Sequence, residues 1–346
     1  MASASPSRPR HSRSRSTWPR TMSIGGATYD LFVRLKRDAL CEMNQQPMFA
    51  LPLGEKIHVD EVIETCGGGA SNTSVGLARL GCDALFEGVI GSDLWGQRLI
   101  ANLQKEGVNT SHALIVENEV SSFSIILSAS GGERVILYTP GANAHLHKSN
   151  FDREIAQQMN WVYLNHIQES AHDIQEDIVE ILAQEHLHLT WNPGGRQVAA
   201  GIDAPMNKRL LPFADLLLLN FEEALDFTHT STLEHALVAL LASGAKRICV
   251  TDGRRGVTAT DGERRYQCPC DDSAPVVDTT GAGDAFGTGV TWALLKGLPF
   301  PTALKAGTLN AAGVVGAMGA QQGLLTEETM QEYLRSTPLT VSDRPL

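Results

Sequence analysis

The run Asp278-Thr279-Thr280-Gly281-Ala282-Gly283-Asp284-Ala285-Phe286 sets two glycines and an acid between the apolar pair Val276-Val277 and a helix-forming stretch. Glycine lets backbone approach a ligand closely and adopts conformations closed to other residues. A helix from roughly Asp284 to Lys296 would aim its unpaired first-turn amides back at the Gly-Ala-Gly turn, and such a helix start attracts anions. A carboxylate at 284, beside that cradle, could take a proton from a hydroxyl. The chemistry suggested is phosphoryl transfer to an alcohol. The same residues also describe an ordinary capped helix, and the run alone leaves both readings open.

Four other runs carry similar chemistry. Gly67-Gly68-Gly69-Ala70-Ser71-Asn72 is a glycine turn leading into a helix. Gly26-Ala27-Thr28-Tyr29-Asp30 puts a carboxylate shortly after the first strand. Asn220-Phe221-Glu222-Glu223 ends a strand with an amide and acids. Thr251-Asp252-Gly253-Arg254-Arg255-Gly256 ends another with a hydroxyl and two glycines. Singly each is weak, because glycine after a strand commonly just makes a turn.

The elements that must position these runs follow from hydrophobic periodicity. Strands are predicted at 23–26, 84–90, 161–165, 187–191, 216–220 and 247–251. Helices are predicted at 71–80, 94–106, 174–185 and 233–241, with two more, 284–296 and 301–318, closing the chain. Leu210 to Leu219, broken by Pro212 and Asp215, reads as a helix end followed by a buried strand. Strands alternating with helices imply a mostly parallel sheet covered on both faces. Two β-rich excursions, 31–65 and 121–139, do not fit that sheet. The second is a hairpin about Gly131-Gly132, and another hairpin lies at Asp261-Gly262. Both excursions are assigned to a small separate sheet over the ligand. In such folds ligands sit beyond the carboxyl ends of the strands, where Gly25-Gly26, Asn165, Asn192, Asn220, Thr251 and the 278–284 run all fall.

Composition excludes other classes. A net charge of −11 repels nucleic acid. With 42% hydrophobic residues and a mean hydropathy of −0.10, a soluble globular protein is expected, and no apolar run approaches the ~18 residues of a membrane span. Six scattered cysteines fit reduced thiols in a cytoplasm. Cys268-Pro269-Cys270 has no second pair or adjacent histidine to complete a zinc site. Residues 1–21 hold Arg8, Arg10, Arg13, Arg15 and Arg20, many serines and no acid. They read as a disordered extension to a single domain over 22–346. The composition suits a transit peptide, though the apolar face is nearly absent; a working start at Met22 is the other reading.

In this order the five runs resemble the PfkB, or ribokinase-like, family of small-molecule kinases. Gly67–Asn72 is similar to the family's N-terminal signature and Asp278–Phe286 to its C-terminal one, and the resemblance covers roughly 23–325. It implies a three-layer α/β/α fold with a mostly parallel central sheet and a small β-sheet lid, formed by about 30–65 and 119–140. It implies ATP and Mg2+ as cofactors, with K+ in many members. By resemblance Asp284 is the base, and the amides of Gly281, Ala282 and Gly283 form the anion hole. Asp30, Gly67, Gly68 and Asn72 are contacts to substrate hydroxyls. Asn220 and Glu223 match a pair near magnesium and phosphate, with Glu223 acting through water. Asn192, Thr251, Gly253 and Gly256 match nucleotide contacts, and Asn310 a residue beside the adenine. Carbonyls of Asp278 and Thr280 match a monovalent-cation site, and Arg134 a lid arginine brought onto the phosphates.

There are departures. Ribokinases often carry lysine where Gly69 stands, and Asn165 lies near where they place an acid on the sugar. The stretch from Asp30 to Gly67 is long, which implies an enlarged lid. The resulting expectation is an ATP-dependent kinase for a hydroxyl of a sugar or sugar-like molecule. A nucleoside kinase is the alternative, with Phe32, Phe49 or Phe123 stacking on the base. A phosphosugar kinase would want more cations than Arg134, a non-catalytic scaffold would have lost the base or a glycine, and a dehydrogenase lacks its G-x-G-x-x-G after the first strand. A lid with an exposed edge could pair across a two-fold axis, so a homodimer through the lid is expected.

Overall fold

The strands that end in the chemical runs lie side by side in one large sheet of a computed structural model describing residues 18–35, 40–43, 46–128, 134–148, 151–167, 172–183, 187–273 and 275–346. From one edge the order is Asp83–Glu87, Arg20–Ile24, Trp161–Leu164, His188–Trp191, Ala214–Asn220 and Ile248–Thr251. These six are parallel. Val257–Thr260, Arg264–Cys268 and Ser342–Pro345 then continue the sheet antiparallel. The central strands are buried on both faces, so they read as apolar runs without alternation; Ala214–Asn220 is buried at every residue but the last. One face carries a core that includes Met22, Leu164, Trp191, Leu217 and Phe227. The other carries Tyr163, Leu216, Phe286, Val290 and Trp292. Each large side chain removed from water contributes roughly 1.5–3 kcal/mol.

A second sheet stands apart, in the order Arg134–Thr139, Phe123–Ser128, Thr28–Leu35, Val59–Gly67. Both β-rich excursions contribute to it. Its two middle strands run parallel, Asp30 beside Ser124, and Thr28–Leu35 pairs antiparallel with Val59–Gly67. Helix Leu94–Lys105 anchors it from behind. Trp95 stacks on Tyr29 and packs on Phe123, with ring centroids 6.5 and 4.4 Å apart. Arg98 donates to both the Tyr29 hydroxyl and Glu64. An additional hairpin, Leu40–Met43 with Gln46–Phe49, lies in the long stretch between the first two strands of this sheet.

Helices Ala282–Leu295 and Phe300–Val315 cross at backbone contact. A Cβ on Gly289 would stand 2.6 Å from the Ala306 carbonyl oxygen and 2.8 Å from Gly307 Cα. One on Gly307 would stand 2.6 Å from Val290 Cγ2. No side chain fits between them.

Several boundaries differ from expectation. The first strand begins at Arg20, so Arg20 and Thr21 belong to the sheet rather than to the extension assigned to 1–21; residues 1–17 lie outside those described, as does Gly131-Gly132. The closing helices start and stop earlier than 284–296 and 301–318. They are not the last elements, because helix Glu327–Ser336 and the edge strand Ser342–Pro345 follow. That strand, Ser-Asp-Arg-Pro, is exposed throughout and has no apolar alternation to announce it. No helix among the described residues is long and apolar enough to cross a membrane.

Candidate active site

Two helix starts face each other beyond the carboxyl ends of the parallel strands. Helix Gly69–Arg79 begins at Gly68, with φ +91°, and helix Ala282–Leu295 at Gly281, with φ +77°. Both positions demand glycine. A Cβ on Gly68 would stand 2.6 Å from Ala27 Cα, and one on Gly281 2.5 Å from Ala320 Cβ and 2.8 Å from its Cα, where nothing flexible can yield. Neither start has a side-chain cap. The Gly26 carbonyl accepts from the Ala70 and Ser71 amides at 3.1 and 3.3 Å, so backbone closes the start of Gly69–Arg79. At Ala282–Leu295 the Ala282 amide meets the Thr279 carbonyl at 3.3 Å, and with no side-chain cap this start is the one that suits an anion. Helix Phe221–Thr228 is the contrast. There Asn220 Oδ1 accepts from the Glu223 amide and Glu223 Oε2 from the Asn220 amide, both at 2.8 Å. That reciprocal capping box closes the helix start.

Asp284 is the third residue of its helix, and its carboxylate is not spent on capping. Oδ2 accepts from Asn72 Nδ2 at 2.8 Å, joining the two helix starts. Burial pushes the Asp284 carboxyl up to about 6, and the Asn72 bond offsets part of that rise. Asp30 lies on strand Thr28–Leu35, 7% exposed. Burial raises it also to about 6, against a hydrogen bond from Ser124, and the nearby Asp278 charge adds to the rise. Gly67 leaves room for this carboxylate, because a Cβ there would collide with Asp30 Oδ2. Two buried carboxyls with raised affinity for protons thus flank the Gly67–Asn72 turn, Asp30 against Gly67 and Asp284 bonded to Asn72, a pattern typical of functional sites.

Asp278 behaves oppositely. Burial alone would raise it, but bonds from the Thr280 hydroxyl and amide, the Gly319 amide and the Arg134 guanidinium outweigh burial and hold it below the usual range. Arg134 Nη1 donates to Asp278 Oδ1 at 2.9 Å. The arginine of the small sheet is therefore clasped to the 278–284 turn, beside the open helix start.

One cleft brings together Thr251, Gly253, Gly256, Ala282 and Gly283. Its far wall is apolar, with Val257, Val276, Phe286, Ala311, Ala312 and Val315. Side chains built on Gly253 or Gly283 would meet nothing within 4 Å. An apolar slot ending at an uncapped helix start suits a flat aromatic group with an anionic tail. Asn310 is not part of it. It is fully buried, its Nδ2 donating to the Ala285 carbonyl at 2.7 Å and its Oδ1 accepting from the Leu325 amide. It ties helices together, and its neighbours Thr308, Ala311 and Ala312 face the cleft instead. Asn192 also turns its amide inward, donating to the Leu218 carbonyl at 3.0 Å.

A second pocket opens on the other side of the Gly67–Asn72 turn, lined by Gly26, Thr28, Gly68, Gly69, Tyr138, Asn143, Leu146 and His166. Asn165 borders it. Its Nδ2 donates to Thr73 Oγ1 at 3.0 Å and to the Ile24 carbonyl at 3.3 Å. Its Oδ1 is buried without a partner and would lie 3.1 Å from a Cβ on Gly69. Tyr138, Asn143, Leu146 and His166 were not singled out in sequence. Asn143 had a signal, since Gly141-Ala142-Asn143 follows a strand as the other glycine turns do. None of the aromatic residues expected to stack on a base lines this pocket: Phe32 is buried in the small sheet, Phe49 ends the hairpin strand Gln46–Phe49 and Phe123 packs on Trp95.

Among the described residues no group of three His, Cys, Asp or Glu side chains converges as a metal site. Cys268 and Cys270 are free thiols directed to Thr308 and the Arg254 carbonyl.

Comparison with known proteins gives the family. The model of the pfkB family carbohydrate kinases matches residues 41–327. A ribokinase of Haemophilus influenzae is 28% identical over 295 residues, 83% of this chain and 93% of its own. Among solved structures, Arabidopsis thaliana ribokinase complexed with ribose and ATP superposes with a TM-score of 0.77 at 24% identity, covering 93% of this chain and all of that one. A Burkholderia thailandensis nucleoside kinase in complex with inosine superposes with a TM-score of 0.73 at 20% identity, over 92% and 98% of the two chains. With a matching family model over most of its length, the chain belongs to the pfkB family of carbohydrate kinases, phosphotransferases that act on a hydroxyl group.

Proposed function

We propose that this kinase transfers the γ-phosphoryl group of ATP to a hydroxyl of a neutral sugar or sugar-like molecule, with Asp284 as general base. The observation that carries the reading is the 2.8 Å bond from Asn72 to Asp284, which joins the two glycine-led helix starts at a carboxylate. The amides of Gly281, Ala282 and Gly283 hold the transferring group. Positioning and electrostatic stabilisation supply most of the catalysis in such reactions. Asp284 takes the proton as the acceptor oxygen forms its bond to phosphorus and the bridging bond to ADP breaks. A carboxyl at about 6 is ionised at neutral pH yet more basic than a surface aspartate. Asp30 and Asn72 orient the acceptor through its hydroxyls, as Gly67 and Gly68 let it approach. Thr251, Gly253 and Gly256 line the nucleotide's cleft.

Magnesium, when bound, neutralises charge on the donor phosphates. Glu223 would hold it through water, since one carboxylate oxygen is taken by the Asn220 amide. Burial raises the Glu223 carboxyl despite that bond, and Glu222 adds to the rise, which a nearby cation would reverse. The carbonyls of Asp278 and Thr280 are assigned to a monovalent cation.

The acceptor pocket argues for a neutral substrate. Its lining carries no lysine or arginine among the described residues, Asp30 adds negative charge, and Arg134 is engaged by Asp278. Tyr138 and His166 on its wall favour a second reading, in which the acceptor is a nucleoside whose base packs there. Release of ADP measured against a panel of sugars and nucleosides separates the two. Asp284→Asn, assayed with the best substrate, is expected to lose at least about 10³-fold in kcat. Turnover comparable to wild type would remove Asp284 from the role of base.

A further inference from the structure

A polarised row of amides stands behind Asp284. Gln321, in the loop after helix Phe300–Val315, is 8% exposed. Its Nε2 donates to Asn72 Oδ1 at 3.1 Å and to Ser71 Oγ at 3.0 Å. Its Oε1 accepts from Asn102 Nδ2 at 2.8 Å. Asn72 Nδ2 in turn donates to Asp284 Oδ2. Arg79 fixes the loop itself by donating to the carbonyls of Gln321 and Leu324 and pairing with Glu106.

A side-chain amide turned end over end exchanges donor for acceptor at almost no change in shape. Asn72 would then point an oxygen at the Asp284 carboxylate, and the two would repel. The carboxylate can only accept, so Asn72 must present nitrogen to it. That orientation is retained when the other end of the amide meets a donor, which is Gln321 Nε2. Gln321 is set the same way by Asn102. Each bond of the row therefore points its donor toward the carboxylate, and such rows reinforce one another in a low-dielectric interior.

We propose that Gln321 is a positioning residue for the base, fixing the Asn72 amide so that Asp284 stays ionised with Oδ1 reserved for the acceptor hydroxyl. The inference rests on Asp284 being the base. Tyr163, buried beneath the same helix, is the titratable group that feels Asp284, and burial keeps its phenol protonated well above neutrality.

The test is the pH dependence of kcat in Gln321→Met, which keeps length and bulk but removes donor and acceptor. Loss of an ordered hydrogen bond to a charged group should lower kcat about tenfold and move its acidic limb up by roughly one pH unit, with KM for ATP unchanged. Gln321→Glu, of the same shape, places an acceptor against Asn72 Oδ1 and should be slower than Gln321→Met at pH 8. A Gln321→Met enzyme with the wild-type acidic limb overturns the proposal, whether its kcat is normal or reduced, because a purely structural role would leave that limb in place. Asp284→Asn, assayed alongside, separates the two claims. If it retains turnover, the reading of the base fails. If it is inactive while the Gln321→Met profile superposes on wild type, the positioning role alone fails.

Discussion

The proposed phosphate end of the site and the proposed acceptor end are built on different foundations. Helix Ala282–Leu295 is buried continuously from Ala285 to Ala293 and locked against a second helix. The acceptor end depends partly on strands such as Arg134–Thr139, exposed at most positions and joined to the rest by Trp95 packing, the Arg98 bonds and the Arg134–Asp278 clasp. The chemistry common to phosphoryl transfer is mounted where little can move. What distinguishes one acceptor from another is mounted where change costs less.

Valine at 283 is the harshest trial of that division. Gly283 lies on the first turn with open space where a side chain would go. Gly283→Val should fold normally, yet lose about 10²–10³-fold in kcat/KM for ATP by occupying the phosphate position. Steady-state kinetics beside a thermal melt would check it. A variant that melts early would mean that the phosphate end is less self-supporting than its packing implies.

Asp30→Asn tests the acceptor end. Loss of one charged contact to a hydroxyl should cost about 10²-fold in kcat/KM for the acceptor while leaving KM for ATP unchanged. It should also alter both pH profiles. The folded-state values near 6 for Asp30 and Asp284 exceed the roughly 3.9 of an unfolded aspartate. Between those values the folded chain holds protons that the unfolded chain has released. These two groups therefore make stability fall as pH rises from about 4 to 6. On the proposed roles, turnover needs both carboxylates ionised, so activity should rise as pH passes about 6. Asp30→Asn should lessen the stability slope and leave an acidic limb of kcat/KM that reports one proton instead of two.

Arg134→Ala should give the smallest change. The arginine is 37% exposed and its partner 4%, and half-exposed pairs are worth about 0–1 kcal/mol. Stability should barely move. The kcat should fall about tenfold if the arginine passes from Asp278 to the phosphates during turnover. Unaltered kcat would make the clasp a surface ornament and separate the small sheet from the chemistry.

The same division governs what could be read from sequence. The parallel strands were legible because burial on both faces leaves uninterrupted apolar runs, and the glycine turns because Gly68 and Gly281 take backbone angles that other residues avoid. Whether Asp284 capped a helix or faced a site was not legible. The answer lies in Asn72, more than two hundred residues away along the chain. Asn310 illustrates a finer limit. One step along a helix turns a side chain by about 100°, so a position that seems to border a cleft can face the core while Thr308 and Ala311 take its place. Gln321 left no trace, being a polar residue in a loop with no periodicity.

The contact of Gly289 with Gly307 bears on how this scaffold can be re-engineered. Backbone meets backbone at Gly289, and Phe286 and Val290 are seated against Gly307, so there is no room to enlarge a side chain at the crossing and the inclination of the Asp284 helix is not an adjustable variable. Efforts to redirect the enzyme to a new acceptor have little to gain from its core. Libraries confined to the small sheet and the Asn165–His166 corner, with Arg134 held constant, would leave the Asp284 helix untouched in every member, and differences in turnover among them would report recognition.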